Sequence, residues 1–239
     1  MARPQHPNDG LSHSLTDLMT SIAVIFILLF LVFVQSQQAQ NAKRLRQTQT
    51  NRQKLFDRLK NAGFGDQVGV DADKTDPLTV LVVVNDESNL LSFDFNKADV
   101  NASSQTFLQD FIPKLSRVIC ASDINDALDS VIIEGHTDTK GDDDHNTALS
   151  AQRATEVLIH SRAILASTPT EPGSGLLNME ECFLEKSQAT GRGERDWVRD
   201  RNTGLEDERK SRRVVVKLRV KSQEQREETS GTGLPGALP

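Results

Sequence analysis

The strongest pattern in the chain is an apolar run at residues 18–34, LMTSIAVIFILLFLVFV, with no charge, Pro or Gly. Extended back to Leu15 it gives about 20 residues, the length a helix needs to cross the hydrocarbon core of a bilayer. Residues 35–62 turn Gln-rich and basic, again without Pro or Gly. Leu45, Arg52 and Leu59 recur every seven residues there, and Thr48, Leu55 and Ala62 fill the alternate spacing. This pattern fits a short self-pairing helix and a solvated helical linker equally well. Gly63 and Gly65 end it.

Beyond residue 75 the periods are mixed. Asp76-Pro77 opens a β-branched strand at 78–84, residues 85–89 form a turn cluster, and 90–95 reads as a second strand, so the pair predicts a hairpin. Phe107, Leu108, Phe111, Ile112, Leu115, Val118 and Ile119 fall at helical spacing, with Ser103 or Ser104 as cap. A short buried strand at 131–134 precedes an amphipathic helix at 146–165. A loop with Pro169, Pro172, Gly173 and Gly175 follows, then strands at about 181–190 and 212–220. The fold class is α+β: a single N-terminal transmembrane helix, then one mixed sheet covered by two helices on one face. The expected organisation is a short N-terminal tail (1–14), a transmembrane helix (15–34), a helical linker (35–65), a folded domain (76–221) and a disordered tail (222–239), polar and then rich in Gly and Pro.

The bulk numbers fit one domain with appendages: 239 residues, net charge −6, 36% hydrophobic. A cleaved signal peptide is the rival to a retained anchor. Its apolar stretch is usually shorter, and Gln35-Ser36-Gln37-Gln38-Ala39 makes a poor cleavage site. Arg3 is the only Lys or Arg before the apolar run, whereas Lys43, Arg44, Arg46, Arg52 and Lys54 follow it. The positive-inside rule therefore favours a cytoplasmic C-terminal domain, and orientation must come from what that domain does. Cys120 and Cys182 form no CxxC pair. A disulfide fits an oxidising compartment, and two buried thiols fit the sequence as well.

Asp17 abuts the apolar run, and on a helix it shares a face with Ser14, Thr20 and Ser21. A carboxylate at a membrane is a functional candidate by default. The structural alternative is a helix cap resting in the headgroup region.

Two stretches resemble known families. Asp17-Leu18-Met19-Thr20 at the mouth of a lone apolar helix resembles the B subunits of ion-driven stators of the flagellar MotB type. That resemblance implies that Asp17, with support from Thr20 and Ser21, takes up and releases the translocated ion. Ile133-Glu134-Gly135-His136-Thr137-Asp138, then Gly141, Asn146, Leu149-Ser150 and Arg153-Ala154, resembles the OmpA-like peptidoglycan-binding signature in order and spacing. Gly191-Arg192-Gly193-Glu194 and Arg212-Arg213-Val214 fit its later blocks, so the likeness runs from about residue 78 to 220. It implies a site made by Asp138, Asn146, Arg153 and Arg213 for the zwitterionic diamino-acid group of the peptidoglycan stem peptide. An ammonium would meet Asp138 and a carboxylate Arg153. A plain Asp138–Arg153 salt bridge is the structural alternative. The sequence departs from the pattern at Asp196-Trp197, where a Pro is expected, and at Ser211, where Asn is common.

The Ser14-to-Ser21 entry and compact layout look most like the B subunit of the Zorya anti-phage defence system. A flagellar-type stator subunit and a passive envelope tether are the alternatives. The resemblance implies a single-pass inner-membrane protein, N-terminus cytoplasmic and C-terminal domain periplasmic. Its implied partners are a multi-span A-subunit ring of the MotA or ZorA type and a second copy of itself. No nucleic-acid partner, cofactor or metal is expected. His136 reads as a hydrogen-bonded structural residue and Asp142-Asp143-Asp144-His145 as a solvated loop. No nucleophile–base–oxyanion set emerges, so no enzymatic activity is expected.

Overall fold

The computed structural model describes residues 9–85, 90–94, 96–169, 178–222 and 225–226. The expected turn at 85–89, the Pro/Gly loop near 170–177, the first eight residues and most of the C-terminal tail lie outside the described residues or at their edge.

The chain divides into two compact units, residues 1–46 and 47–239. Helix α1 (Asp9–Lys60) supplies the first unit and enters the second. In the first unit the apolar side chains from Leu18 to Phe33 are exposed, most by more than half their surface. This helix is long and apolar enough to cross a membrane.

The second unit is built on a five-stranded sheet of order β1-β2-β5-β3-β4: β1 (Val68–Ala72), β2 (Thr79–Asn85), β5 (Arg213–Val220), β3 (Leu128–His136) and β4 (Ser187–Gly191). All neighbours are antiparallel except β3 and β4. Register aligns Val82, Val216 and Ile133 in one row, and Val80, Leu218 and Val131 in the next. All six are buried, because alternation sends them to one face. That face packs against α2 (Ala102–Ile119), α4 (Asp143–Ala166) and α5 (Met179–Lys186), whose Leu108, Ile112, Leu115, Val157 and Phe183 complete the core. Two short helices, α3 (Ser122–Asn125) and α6 (Glu208–Ser211), lie in connections.

Several boundaries differ from those predicted. The second strand expected at 90–95 is absent over the described residues 90–94, where Ser92 bonds to the start of α2 instead. Its N–H donates to Ser104 Oγ, and its carbonyl accepts from Ser104 Oγ and Asn101 Nδ2. The hairpin partner of β2 is β1, a short and largely exposed edge strand. Asn101, not a serine, caps α2, accepting from Ser104 N at 2.9 Å. The strand expected at 181–190 is helical in its first half. Asn178 caps α5, and Met179, Cys182 and Phe183 face inward at helical spacing. A helix there also serves the topology, since two parallel strands need a crossover and cannot be joined by a tight turn.

The domain also begins before residue 76. Leu55 and Leu59, at the end of α1, are wholly buried in the core, each worth roughly 1.5–3 kcal/mol. The heptad positions Thr48, Leu55 and Leu59 thus pack within the domain and are not available for self-pairing. Cys120, at the C-terminus of α2, is joined to Cys182 of α5 by a disulfide with a Cα–Cα distance of 5.9 Å. The bridge spans 62 residues, and chain entropy alone makes such a cross-link worth about 4 kcal/mol.

Helix α4 meets the sheet at two glycines. Gly135 and Gly191 are register partners on β3 and β4. A Cβ on Gly135 would sit 2.2 Å from the Ser150 carbonyl oxygen, and one on Gly191 would sit 2.4 Å from the Ala151 nitrogen. The helix backbone therefore rests directly on the sheet backbone. Ser150 Oγ fastens the contact, accepting from Gly193 N at 2.8 Å and donating to the Thr147 carbonyl. Gly135→Ala should destabilise the domain by about 1–3 kcal/mol, as overpacking against a backbone atom does. Gly69→Ala, whose Cβ would meet nothing closer than 3.8 Å, serves as the control. Thermal denaturation of the full chain in detergent should show the first change and little of the second.

Candidate functional site

The seating of α4 fixes a cleft at the C-terminal end of β3. The strand ends at His136, and residues 137–142 turn into α4. Gly141 takes φ +106, a left-handed conformation that costs glycine little. Asp142 caps the helix, accepting from His145 N at 3.2 Å. Asn146, 3% exposed, holds this turn from inside. Its side-chain amide donates to the carbonyls of Asp138 (3.4 Å) and Lys140 (3.1 Å) and to Glu194 Oε2 (2.9 Å).

The cleft has a volume of about 630 Å³, in the range that takes small organic ligands. Its lining includes Asp138, Asn146 and Arg153, so three of the four predicted peptidoglycan-site residues come together there. Asp138 and Arg153 do not form the salt bridge that the simpler reading anticipates. Asp138 Oδ2 accepts from Arg212 Nη1 at 2.6 Å, and Oδ1 accepts from Lys140 N at 3.3 Å. Arg153, 6% exposed, donates from Nε to the Lys97 carbonyl (3.0 Å) and from Nη2 to the Asp94 carbonyl (3.5 Å), and its guanidinium lies 4.9 Å from the Phe93 ring centroid. These carbonyls and the aromatic face hold the cation in place at the cleft.

Arg213 lines a smaller pocket, with Phe93, His136, Arg153 and Arg212. Its guanidinium donates to the carbonyls of Ser211 (3.2 Å) and Asp196 (3.0 Å), and it does not line the large cleft. Asp196 takes φ +68 at this turn, and Ser211 Oγ accepts from Val198 N. The two departures from the expected pattern are therefore parts of one brace. Arg212 lines the cleft in place of Arg213, and strand alternation could have found it. Val214, Val216 and Leu218 face the helices, and Arg212 shares their parity. Sequence reasoning also missed Phe93, Lys140 and Glu208, which line the cleft, and Glu206, which accepts from Thr139 N and Oγ1.

Asp142 and Asp143 have structural work: the first is the α4 cap and the second pairs with Arg195 at 3.3 Å. In the other unit, Asp17 is exposed, and its carbonyl accepts from Thr20 Oγ1 at 2.9 Å; Ser21 is likewise exposed.

On the other face of the sheet, beneath the cleft, Glu134 is buried with His136 Nε2 at 3.1 Å and Lys217 Nζ at 2.7 Å. Burial alone would raise the Glu134 carboxyl, but hydrogen bonds from His136 and Lys217 and the Lys217 charge outweigh it and hold it at about 2. Burial lowers His136, against the opposing pull of Glu134. Both groups have a folded-state pKa below the unfolded one, so both contribute stability at neutral pH that is lost in acid. The His136 part should fade as pH falls below about 6.5, and the Glu134 part between about 4.5 and 2. Glu134→Gln should flatten the lower limb in melting curves of the full chain recorded against pH.

Residues 92–160, which carry Asp138, Asn146 and Arg153, match the model of the OmpA family. The second unit is an OmpA-like domain, with the single mixed sheet described above. The peptidoglycan-associated lipoprotein of Pseudomonas aeruginosa is 25% identical over 146 residues, covering 61% of this chain and 75% of that protein. Among solved structures, a MotB-like protein from Desulfovibrio vulgaris is similar at 18% identity, covering 74% of this chain and 99% of its own, with a TM-score of 0.48. The cell wall anchor of the type VI secretion system from Pseudomonas aeruginosa is similar at 19% identity, covering 71% and 96%, with a TM-score of 0.42.

Proposed function

We propose that this chain anchors a membrane complex to the peptidoglycan wall, with the cleft at the end of β3 taking the zwitterionic diamino-acid group of a stem peptide. The observation that carries this reading is the placement of Asp138 and Arg153 in the lining of one cleft, each fastened by partners of its own. A carboxylate and a guanidinium presented separately suit a ligand with both an ammonium and a carboxylate. Asn146 is a positioning residue, holding the turn that carries Asp138, and Arg213 braces the wall behind it. The relative from Pseudomonas aeruginosa is named for its association with peptidoglycan, which agrees with this assignment.

Asp138→Ala and Arg153→Ala should each abolish co-sedimentation with purified sacculi while the circular dichroism of the domain stays unchanged. Sedimentation of both variants at the level of the parent would remove the assignment.

The apolar segment of α1 and Asp17 extend the reading to a motor. In it, the chain is the B subunit of a proton-driven inner-membrane complex serving anti-phage defence. Its N-terminus is cytoplasmic, its OmpA-like domain periplasmic, and two copies pass through a ring of multi-span A subunits. Support comes from the polar face of Asp17, Thr20 and Ser21 at the N-terminal end of the segment of α1 that exposes apolar side chains. Asp17→Asn keeps the size and capping ability of the side chain but cannot release a proton. It should leave expression and wall binding intact and eliminate protection in a phage-challenge assay. Full protection by this variant would make the protein a tether without ion transport.

A further inference from the structure

Asp138 ends a chain of alternating charges whose other members the wall-binding reading leaves unused. Lys140 Nζ lies 2.8 Å from Glu208 Oε2, Glu208 Oε2 lies 4.0 Å from Arg212 Nη1, and Arg212 Nη1 lies 2.6 Å from Asp138 Oδ2. All four residues line the same cleft. Lys140 and Asp138 come from the β3–α4 turn, whereas Glu208 and Arg212 come from α6 and the residue that caps it. Asp138 is 13% exposed in its side chain and Arg212 32%, so the inner pair is the better shielded one. Lys140 and Glu208 stand in solvent at 71% and 42%.

The Asp138 carboxylate is thus engaged on both oxygens, by Arg212 and by the Lys140 backbone. An incoming ammonium competes with a guanidinium already seated on the charge it needs. Glu208 stands within reach as a second acceptor for that guanidinium, and Lys140 competes with Arg212 for Glu208.

We infer that Arg212 is an exchangeable stand-in for the ligand's cation, and that Glu208 and Lys140 set the affinity of the cleft by deciding how readily Arg212 leaves Asp138. The inference rests on the wall-binding reading above and adds a self-competing control to it. Ligand ammonium takes the Asp138 oxygen while the Arg212 guanidinium swings to Glu208, with no net change in the number of ion pairs. Glu208 and Lys140 touch no ligand in this scheme, so they are positioning residues that act through Arg212.

The three side chains then have signed effects. Arg212→Met removes the competitor and should tighten binding. Lys140→Met frees Glu208 to draw Arg212 away and should tighten it less. Glu208→Gln removes the alternative acceptor and should weaken it. Partly exposed ion pairs are worth little individually, so each change should be about two- to fivefold in Kd.

The test titrates the full-length protein in detergent with free 2,6-diaminopimelate, following amide shifts of the 137–146 segment, with sacculus sedimentation in parallel. The expected result is the order Arg212→Met, Lys140→Met, parent, Glu208→Gln from tight to weak. Glu208→Gln should have no effect in an Arg212→Met background. Arg212→Lys should restore the competition, which separates exchange from a structural loss. Weaker binding by Arg212→Met, at an unchanged melting temperature, would overturn the inference and make Arg212 a holder of the ligand. An effect of Glu208→Gln that persists without Arg212 would overturn it as well. If the parent binds neither diaminopimelate nor sacculi, the wall-binding reading itself fails, and the exchange falls with it.

Discussion

The architecture depends on a helix backbone lying against a sheet backbone with no side chain between them. Gly135 and Gly191 face each other across β3 and β4, and the α4 backbone at Ser150 and Ala151 occupies the space their side chains would fill. Interiors are close-packed, so a spacer of even one methyl would lift the helix. That lift would be felt one turn away in each direction. Asn146 would lose its hold on the Asp138 and Lys140 carbonyls, and Arg153 its fit between Phe93 and the carbonyls of Asp94 and Lys97. The cleft is therefore a consequence of glycines that do not line it. Gly193, at φ +59, extends the same seat, since its N–H is the donor to Ser150 Oγ.

Much of this was legible in the sequence, for reasons of length and period. β2, β5, α2 and α4 are long enough for their burial patterns to be unambiguous. The core strand β3 and the cleft residues Asp138, Asn146 and Arg153 were legible through spacing that resembles a known signature. β1 was not, because five residues containing Gly and Asp, mostly exposed at an edge, carry no apolar alternation. α5 was misread because eight residues of mixed character fit either period, and its Asn178 cap lies before the apolar positions. The Ser92 segment was misread because its hydrogen bonds go to side chains of α2, which no local pattern shows.

The second wall of the cleft was the least legible part. Glu206 meets Thr139 across 67 positions, and Arg212 meets Asp138 across 74. Pairings of that separation leave no periodic trace. The dense charge at 194–210 was visible as composition only, although in the fold it divides into distinct tasks. Glu194 ties Asn146, Glu206 holds Thr139, Arg192 pairs with Asp196, and Glu208 meets Lys140.

The burial of Leu55 and Leu59 has a mechanical side. A polypeptide that transmits force through a loose tether dissipates it as chain extension before any folded part is strained. In this domain the entering helix is itself a core element, with Lys54 and Arg58 also fastened to Asp123 of α3. A pull along the end of α1 loads apolar contacts and ion pairs in shear, many bonds at once, instead of peeling them one by one. From there the Cys120–Cys182 bridge joins the end of α2 to the middle of α5 covalently, so tension spreads through the helical layer without separating it. The domain is thus built as a stiff coupling.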